Sequence, residues 1–125
     1  MATIELNAQN LADTINSNNF VIIDFWAPWC GPCKSFGPVF EQASDKYDDI
    51  VFAKVNTEVE QEIAGHFQIR SIPTLMLFRE QVILYAEPGA MSQTDLDKLI
   101  EQARAVDMAE VHKAMEEDQA KQANK

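Results

Sequence analysis

The sequence predicts an α/β fold, a mixed sheet with helices packed on both of its faces. Three observations carry that expectation. Phe20 to Trp26 and Ile50 to Val55 are nearly unbroken apolar runs of strand length, the mark of strands covered on both sides. A helix-length stretch separates them, so they can pair in parallel through a right-handed crossover. Further on, Thr74 to Phe78 and Val82 to Tyr85 are separated only by Arg79, Glu80 and Gln81, which calls for an antiparallel hairpin.

The elements follow in order. Asn7 is a candidate cap for a first helix reaching about Ser17, with Leu11 and Ile15 on one face. After the strand Phe20 to Trp26, a helix opens at Trp29-Cys30-Gly31-Pro32-Cys33-Lys34 and continues through Phe36, Val39, Phe40 and Ala43. Pro38 lies inside it and, lacking an N–H, should kink it. The strand Ile50 to Val55 leads to a short helix around Glu58 to His66. Beyond the hairpin, Ser92 begins a helix with Leu96, Leu99, Ile100 and Ala103 as its buried stripe.

Past about Val106, Asp107 and Glu110 have the spacing of a capping box, with Asp as an accepted cap. Met108, Val111 and Met115 make a short apolar stripe, read as packing on its own domain in preference to docking a partner. Glu116 to Lys125 is polar and expected to fray. The chain thus divides into a domain at residues 1–106 and a helical extension with a polar tail at residues 107–125.

Composition narrows the function. A chain of 125 residues fits one domain, and 46% apolar content is ordinary for a globular core. Twenty acidic against ten basic residues leave a net charge of −10, which repels phosphate backbones and anionic lipid. No nucleic-acid or membrane partner is expected. The start has neither a basic stretch nor a leader-length apolar run, so a cytoplasmic location is expected.

Cys30 and Cys33 are the chain's two cysteines, and a lone Cys-x-x-Cys reads as redox chemistry. Helix positions three apart lie about 5–6 Å from one another, which suits a disulfide Cα separation of about 5.5–6 Å. The pair can open and close with little backbone movement. At a helix N-terminus, Cys30 meets unpaired N–H groups and the positive dipole end, both of which favour its thiolate. Lys34 adds positive charge. Cys33, one turn deeper, should be more shielded. Attack on a target disulfide therefore falls to Cys30, and resolution of the mixed disulfide to Cys33. The alternative is a zinc half-site. It would need two more ligands, and only His66 and His112 offer ring nitrogens, without ligand-like spacing.

Asp24 interrupts a strand that should be buried, where an unpaired carboxylate is costly. Burial should raise its pKa and make it a proton acceptor near neutral pH when Cys33 resolves the mixed disulfide. Lys54, equally out of place in Val51 to Val55, is its candidate partner; a structural Asp24–Lys54 pair without catalytic duty is the other reading. Pro73 opens the strand Thr74 to Phe78, where a missing N–H costs least. A cis Ile72–Pro73 bond would turn the Ile72 backbone toward a bound chain, but only about 5–6% of X–Pro bonds are cis. Phe25, Phe36, Phe40, Phe52, Phe67 and Phe78 read as core. Trp29 reads as exposed beside the nucleophile, and His66 as a helix-end residue pairing with terminal carbonyls.

These residues resemble those of the thioredoxin family. Trp26-Ala27-Pro28-Trp29-Cys30-Gly31-Pro32-Cys33-Lys34 is similar to its first signature, with Pro28 at a variable position. Ile69-Arg70-Ser71-Ile72-Pro73-Thr74-Leu75 is similar to its second, and Gly89-Ala90 to the pair that closes its site. The resemblance implies the thioredoxin fold, a central mixed five-stranded sheet flanked by four helices, here with an extra C-terminal helical segment. It implies a monomeric protein-disulfide reductase with no bound cofactor, recharged from NADPH by a flavin-containing thioredoxin reductase and acting on disulfide-containing target proteins.

By the same resemblance, Cys30 is the nucleophile and Cys33 the resolving thiol. Asp24 is the buried carboxylate, Lys54 its neighbour, and Pro73 a cis-proline beside the thiols. Trp29, Ile72, Gly89 and Ala90 match the substrate-docking rim, and Gly31-Pro32 the dipeptide of reducing members. Three positions depart from the pattern. Ser71 replaces a glycine, Pro88 a β-branched residue, and the hairpin turn Arg79-Glu80-Gln81 lacks a glycine. They bear on partner choice. Two rivals remain, a thiol oxidase or isomerase, and a binding module that uses the rim or tail to hold a partner.

Overall fold

Strand β2 (Phe20–Trp26) lies at the middle of the sheet and is buried from Phe20 through Phe25. The computed structural model describes residues 2–123. Along the chain come β1 (Thr3–Glu5), α1 (Leu11–Asn16), β2, α2 (Gly31–Lys46), β3 (Val51–Asn56) and α3 (Gln61–His66). Then follow β4 (Thr74–Arg79), β5 (Val82–Pro88), α4 (Gln93–Ala105) and α5 (Met108–Ala123). The five strands are ordered β1-β3-β2-β4-β5; β3 runs parallel to β1 and β2, whereas β4 runs antiparallel to β2 and β5. The mixed α/β architecture expected from the sequence is present.

Alternation along β2 divides the core in two. Phe20 and Ile22 face α2 and α4, where they meet Phe36, Phe40, Leu96 and Ile100. Val21, Ile23 and Phe25 face the other side, against Ile63, Leu11, Ile15 and Phe67. Asp24 shares the parity of Ile22 and therefore points to the α2 side, beneath the helix that begins with the cysteine motif. Five of the six phenylalanines expected in the core, Phe25, Phe36, Phe40, Phe52 and Phe78, are buried there, and Phe67 packs half-buried against it.

Several boundaries differ from the expectations. β1 has only three residues and one apolar side chain, Ile4, too little to register as a pattern. Asn7 does not cap α1. Its Oδ1 accepts from the Gln9 and Asn10 backbone N–H groups at 2.9 and 3.0 Å, building a turn that delays the helix to Leu11. Asn56 does the same for α3: its Oδ1 and carbonyl take the N–H groups of Glu58, Val59 and Glu60, so the helix begins at Gln61. Helix α2 runs through Pro38 without a break, the proline lying on its exposed face.

The hairpin turn is shorter than expected. Arg79 pairs with Val82, leaving Glu80 and Gln81 alone at φ of +51° and +68°. Two left-handed residues match the right-handed twist of the flanking strands. The Asn19 carbonyl accepts from Glu80 N–H at 2.8 Å, and Glu80 Oε1 lies 3.1 Å from His112 Nε2 of α5.

The polar tail corrects the sequence reading most plainly. Residues 116–123 continue α5 rather than fray; residues 124–125 lie outside the described part. Apart from Asp118, these residues are alanine, glutamate, glutamine and lysine, all good helix formers, and propagation from a formed helix is easy. Asp107 caps α5 as expected, its Oδ1 accepting from the Glu110 N–H at 3.3 Å. Met108 is buried and Val111 half-buried, but Met115 is exposed, so the stripe reaches the body only at its first turn.

Candidate active site

Cys30 occupies the cap position of α2 with extended backbone (φ −85°, ψ 114°), and its sulfur accepts from the Cys33 N–H at 3.2 Å. Gly31 and Pro32 form the first helical positions, where a proline's missing N–H goes unmissed. The two cysteines are joined as a disulfide with Cα atoms 5.2 Å apart, as the i, i+3 spacing anticipated. Cys33 is not the more shielded of the two. Cys30 is 4% exposed and Cys33 5%, with Ala27 and Trp26 from the end of β2 and Ile72 from the loop before β4 packed around the pair.

Asp24 is 1% exposed, and neither carboxylate oxygen has a hydrogen-bond partner among the described residues. Burial pushes its pKa up to about 7, against the opposing pull of the Lys54 charge. Lys54 is its register neighbour on β3, yet its ammonium sits 4.8 Å from the centroid of the Trp26 ring and makes no hydrogen bond to Asp24. The partnership expected between them is one through space. It restrains the rise and does not reverse it.

The Ile72–Pro73 bond is cis, against the general frequency of such bonds and in line with the resemblance. The Ile72 carbonyl lies 3.7 Å from Cys30 Sγ. The Pro73 carbonyl accepts from Gly89 N–H at 2.8 Å, which ties the end of β5 to this loop; Gly89 itself has φ +120°, a conformation suited to glycine. Gly31, Pro32, Gly89 and Ala90 are exposed and Ile72 half-buried, while Pro73 is buried. Trp29 is 67% exposed, and its indole N–H donates to Glu58. Sequence reasoning overlooked Glu58, which carries no signal beyond its place in a polar turn. His66 ends α3 with its ring edge-on to Phe67, not paired with helix carbonyls.

Among the described residues, no group of three or more His, Cys, Asp or Glu is placed to hold a metal ion, and no helix is long and apolar enough to cross a membrane. The model of one protein family, Thioredoxin, matches residues 2–102. The chain belongs to the thioredoxin family. It is 54% identical to the putative thioredoxin 2 of Streptomyces coelicolor over 119 residues, covering 95% of this chain and 89% of that one. It is 39% identical to the thioredoxin of Buchnera aphidicola over 101 residues, covering 79% and 94%. The first match is too long to fit within residues 1–106, so it enters α5; the second is not.

Among solved structures, the thioredoxin of Malassezia sympodialis superposes with a TM-score of 0.73 at 33% identity, covering 82% of this chain and 93% of that one. A mutant thioredoxin from Halobacterium salinarum does so at 0.73 and 31%, covering 80% and 88%. As a thioredoxin, the chain is a protein dithiol–disulfide oxidoreductase that reduces disulfides in target proteins through Cys30 and Cys33.

Proposed function

We propose that Cys30 is the attacking thiolate, Cys33 the resolving thiol and Asp24 the proton acceptor, with Lys54 limiting how far the Asp24 pKa rises. The observation that carries this reading is the placement of Cys30 at the start of α2, where its sulfur accepts a helix N–H. The same donor and the helix dipole stabilise the thiolate in the reduced pair.

The exchange runs in two steps. Cys30 thiolate attacks one sulfur of the target disulfide; that bond breaks, a mixed disulfide forms, and the first target thiolate leaves. Cys33 then gives its proton to Asp24 and attacks the Cys30 sulfur, expelling the second target thiolate and closing the Cys30–Cys33 disulfide. Two electrons pass to the target. Trp29, Gly31, Pro32, Ile72, Pro73, Gly89 and Ala90 form the rim against which the target chain docks.

The resemblance supports electrons from NADPH through a flavin-containing thioredoxin reductase, a monomeric cytoplasmic protein, and catalysis by residues 1–106 without α5. Cys33→Ser provides the test. It should trap target proteins from a cell extract as mixed disulfides with Cys30, released by reductant. Recovery of no adducts would overturn the assignment of roles.

A further inference from the structure

A cleft at the β4–β5 side of the sheet flanks the Ile72–Pro73 loop, with Ser71 and Thr74 on either side of that dipeptide in its lining, and is not used by the mechanism above. It is a half-open hollow of ≈ 180 Å³ between the loop after α3 and the end of β5. Phe67, Ile69, Met76, Ala86 and Pro88 give it apolar walls. Gln68, Ser71 and Thr74 add polar groups, and Arg70 is the charged residue in the lining. Ser71 adjoins Ile72, whose carbonyl lies 3.7 Å from Cys30 Sγ, so the edge of the cleft is one residue removed from the backbone that meets the attacking sulfur.

Arg70 is the arginine with nothing to do. Arg79 donates to the carbonyls of Ala103, Arg104 and Val106, and Arg104 holds Asp49 with two hydrogen bonds. Arg70 is exposed and has neither a hydrogen bond nor an ion pair among the described residues. An unpaired guanidinium beside an apolar hollow fits an apolar group with a carboxylate at its side. The net charge of −10 does not cancel this selection, because at about 0.15 M salt charges beyond roughly 8 Å are screened and the nearest one decides. Ser71 and Pro88, two of the positions where the chain departs from the family pattern, line this cleft.

We propose that the cleft is a side-chain subsite that selects target proteins carrying an apolar residue next to an acidic one, close to the reducible disulfide. The apolar side chain fills the hollow, and Arg70 pairs with the carboxylate. The proposal rests on the Cys30/Cys33 reading given above.

The test uses disulfide peptides that differ in two residues beside one half-cystine: leucine–aspartate, leucine–lysine, glycine–aspartate or glycine–lysine, placed after it in one set and before it in another. Hydroxyethyl disulfide, which has no side chains, serves as the reference substrate. In at least one set, kcat/KM should be roughly tenfold higher for leucine–aspartate than for glycine–aspartate. It should be about two- to fivefold higher than for leucine–lysine, and less so at high salt. Arg70→Gln should erase the charge preference and leave the apolar one. Ala86→Phe should fill the cleft and erase the apolar preference; Ala86→Leu is the smaller substitution should the first fail to fold. Equal rates for the four peptides in both sets would overturn the subsite, as would preferences that survive both substitutions. Failure to reduce hydroxyethyl disulfide would overturn the thiol reading itself, and the subsite with it.

Discussion

The two ends of the sheet are built to different standards. At the thiol end, Asp24 is buried without a hydrogen bond, Trp29 stands in solvent, and the pair Cys30–Cys33 is enclosed by only a few side chains. At the hairpin end nearly every group is tied. Arg79 gathers three carbonyls at the junction of α4 and α5, Arg104 grips Asp49, and His112 meets Glu80. Unsatisfied buried groups are costly; among the described residues, Asp24 and the Trp26 indole N–H are such groups on β2, the strand that leads to the thiols, and Glu41 and Gln93 carry others on α2 and α4. The far end holds the scaffold while the near end carries the reactive groups.

Removing the thiol end's chemistry has the largest expected effect. Cys30→Ser should abolish turnover, by at least about a thousandfold, while thermal unfolding of the reduced protein shifts little. Residual turnover within tenfold of wild type would show that Cys33 attacks on its own.

Asp24→Asn tests the cost of that end directly. Folding raises this pKa from 3.8 to about 7, so the native state favours the protonated acid. Stability is therefore full below 3.8 and falls as the pH climbs toward 7, where the buried carboxylate ionises. The variant should match wild type in acid and be more stable above neutrality by on the order of 4 kcal/mol, with slower resolution of mixed disulfides. Urea unfolding across pH measures it. A pH-independent difference would mean that Asp24 is not the titrating group.

At the opposite end, Arg79→Ala should destabilise by about 2 kcal/mol, because three carbonyls lose a charged donor. Turnover at temperatures below unfolding should not change; a drop in kcat would mean that the two ends are coupled. The smallest effect is expected for His112→Ala, whose partner Glu80 is partly exposed. A loss of about 0.5–1 kcal/mol is expected in thermal melts, the size of one partly exposed hydrogen bond.

How much of this is legible in the sequence differs by element. The strands β2 to β5 and the cysteine helix can be read because long apolar runs and a fixed motif dominate them. β1 cannot, since three residues make no pattern. The starts of α1 and α3 mislead for a common reason: an asparagine side chain, here Asn7 or Asn56, closes a turn as readily as it starts a helix. The cis bond at Pro73 comes from resemblance, because local residues cannot favour it over trans. Equal shielding of Cys30 and Cys33 depends on Ile72, which is remote in sequence and arrives only through the fold. The cleft at Arg70 is hidden for the same reason, as its walls come from α3's exit loop, β4 and β5.

The place where α5 leaves the body has a practical meaning. β4 begins at Thr74 beside the thiols and ends at Arg79 beneath the α4–α5 junction. Six strand residues at about 3.3 Å each put roughly 20 Å between the two. A probe attached at the exposed Ala105, where α4 ends, would thus sit at the pole away from Cys30 and report on the scaffold without crowding the thiols.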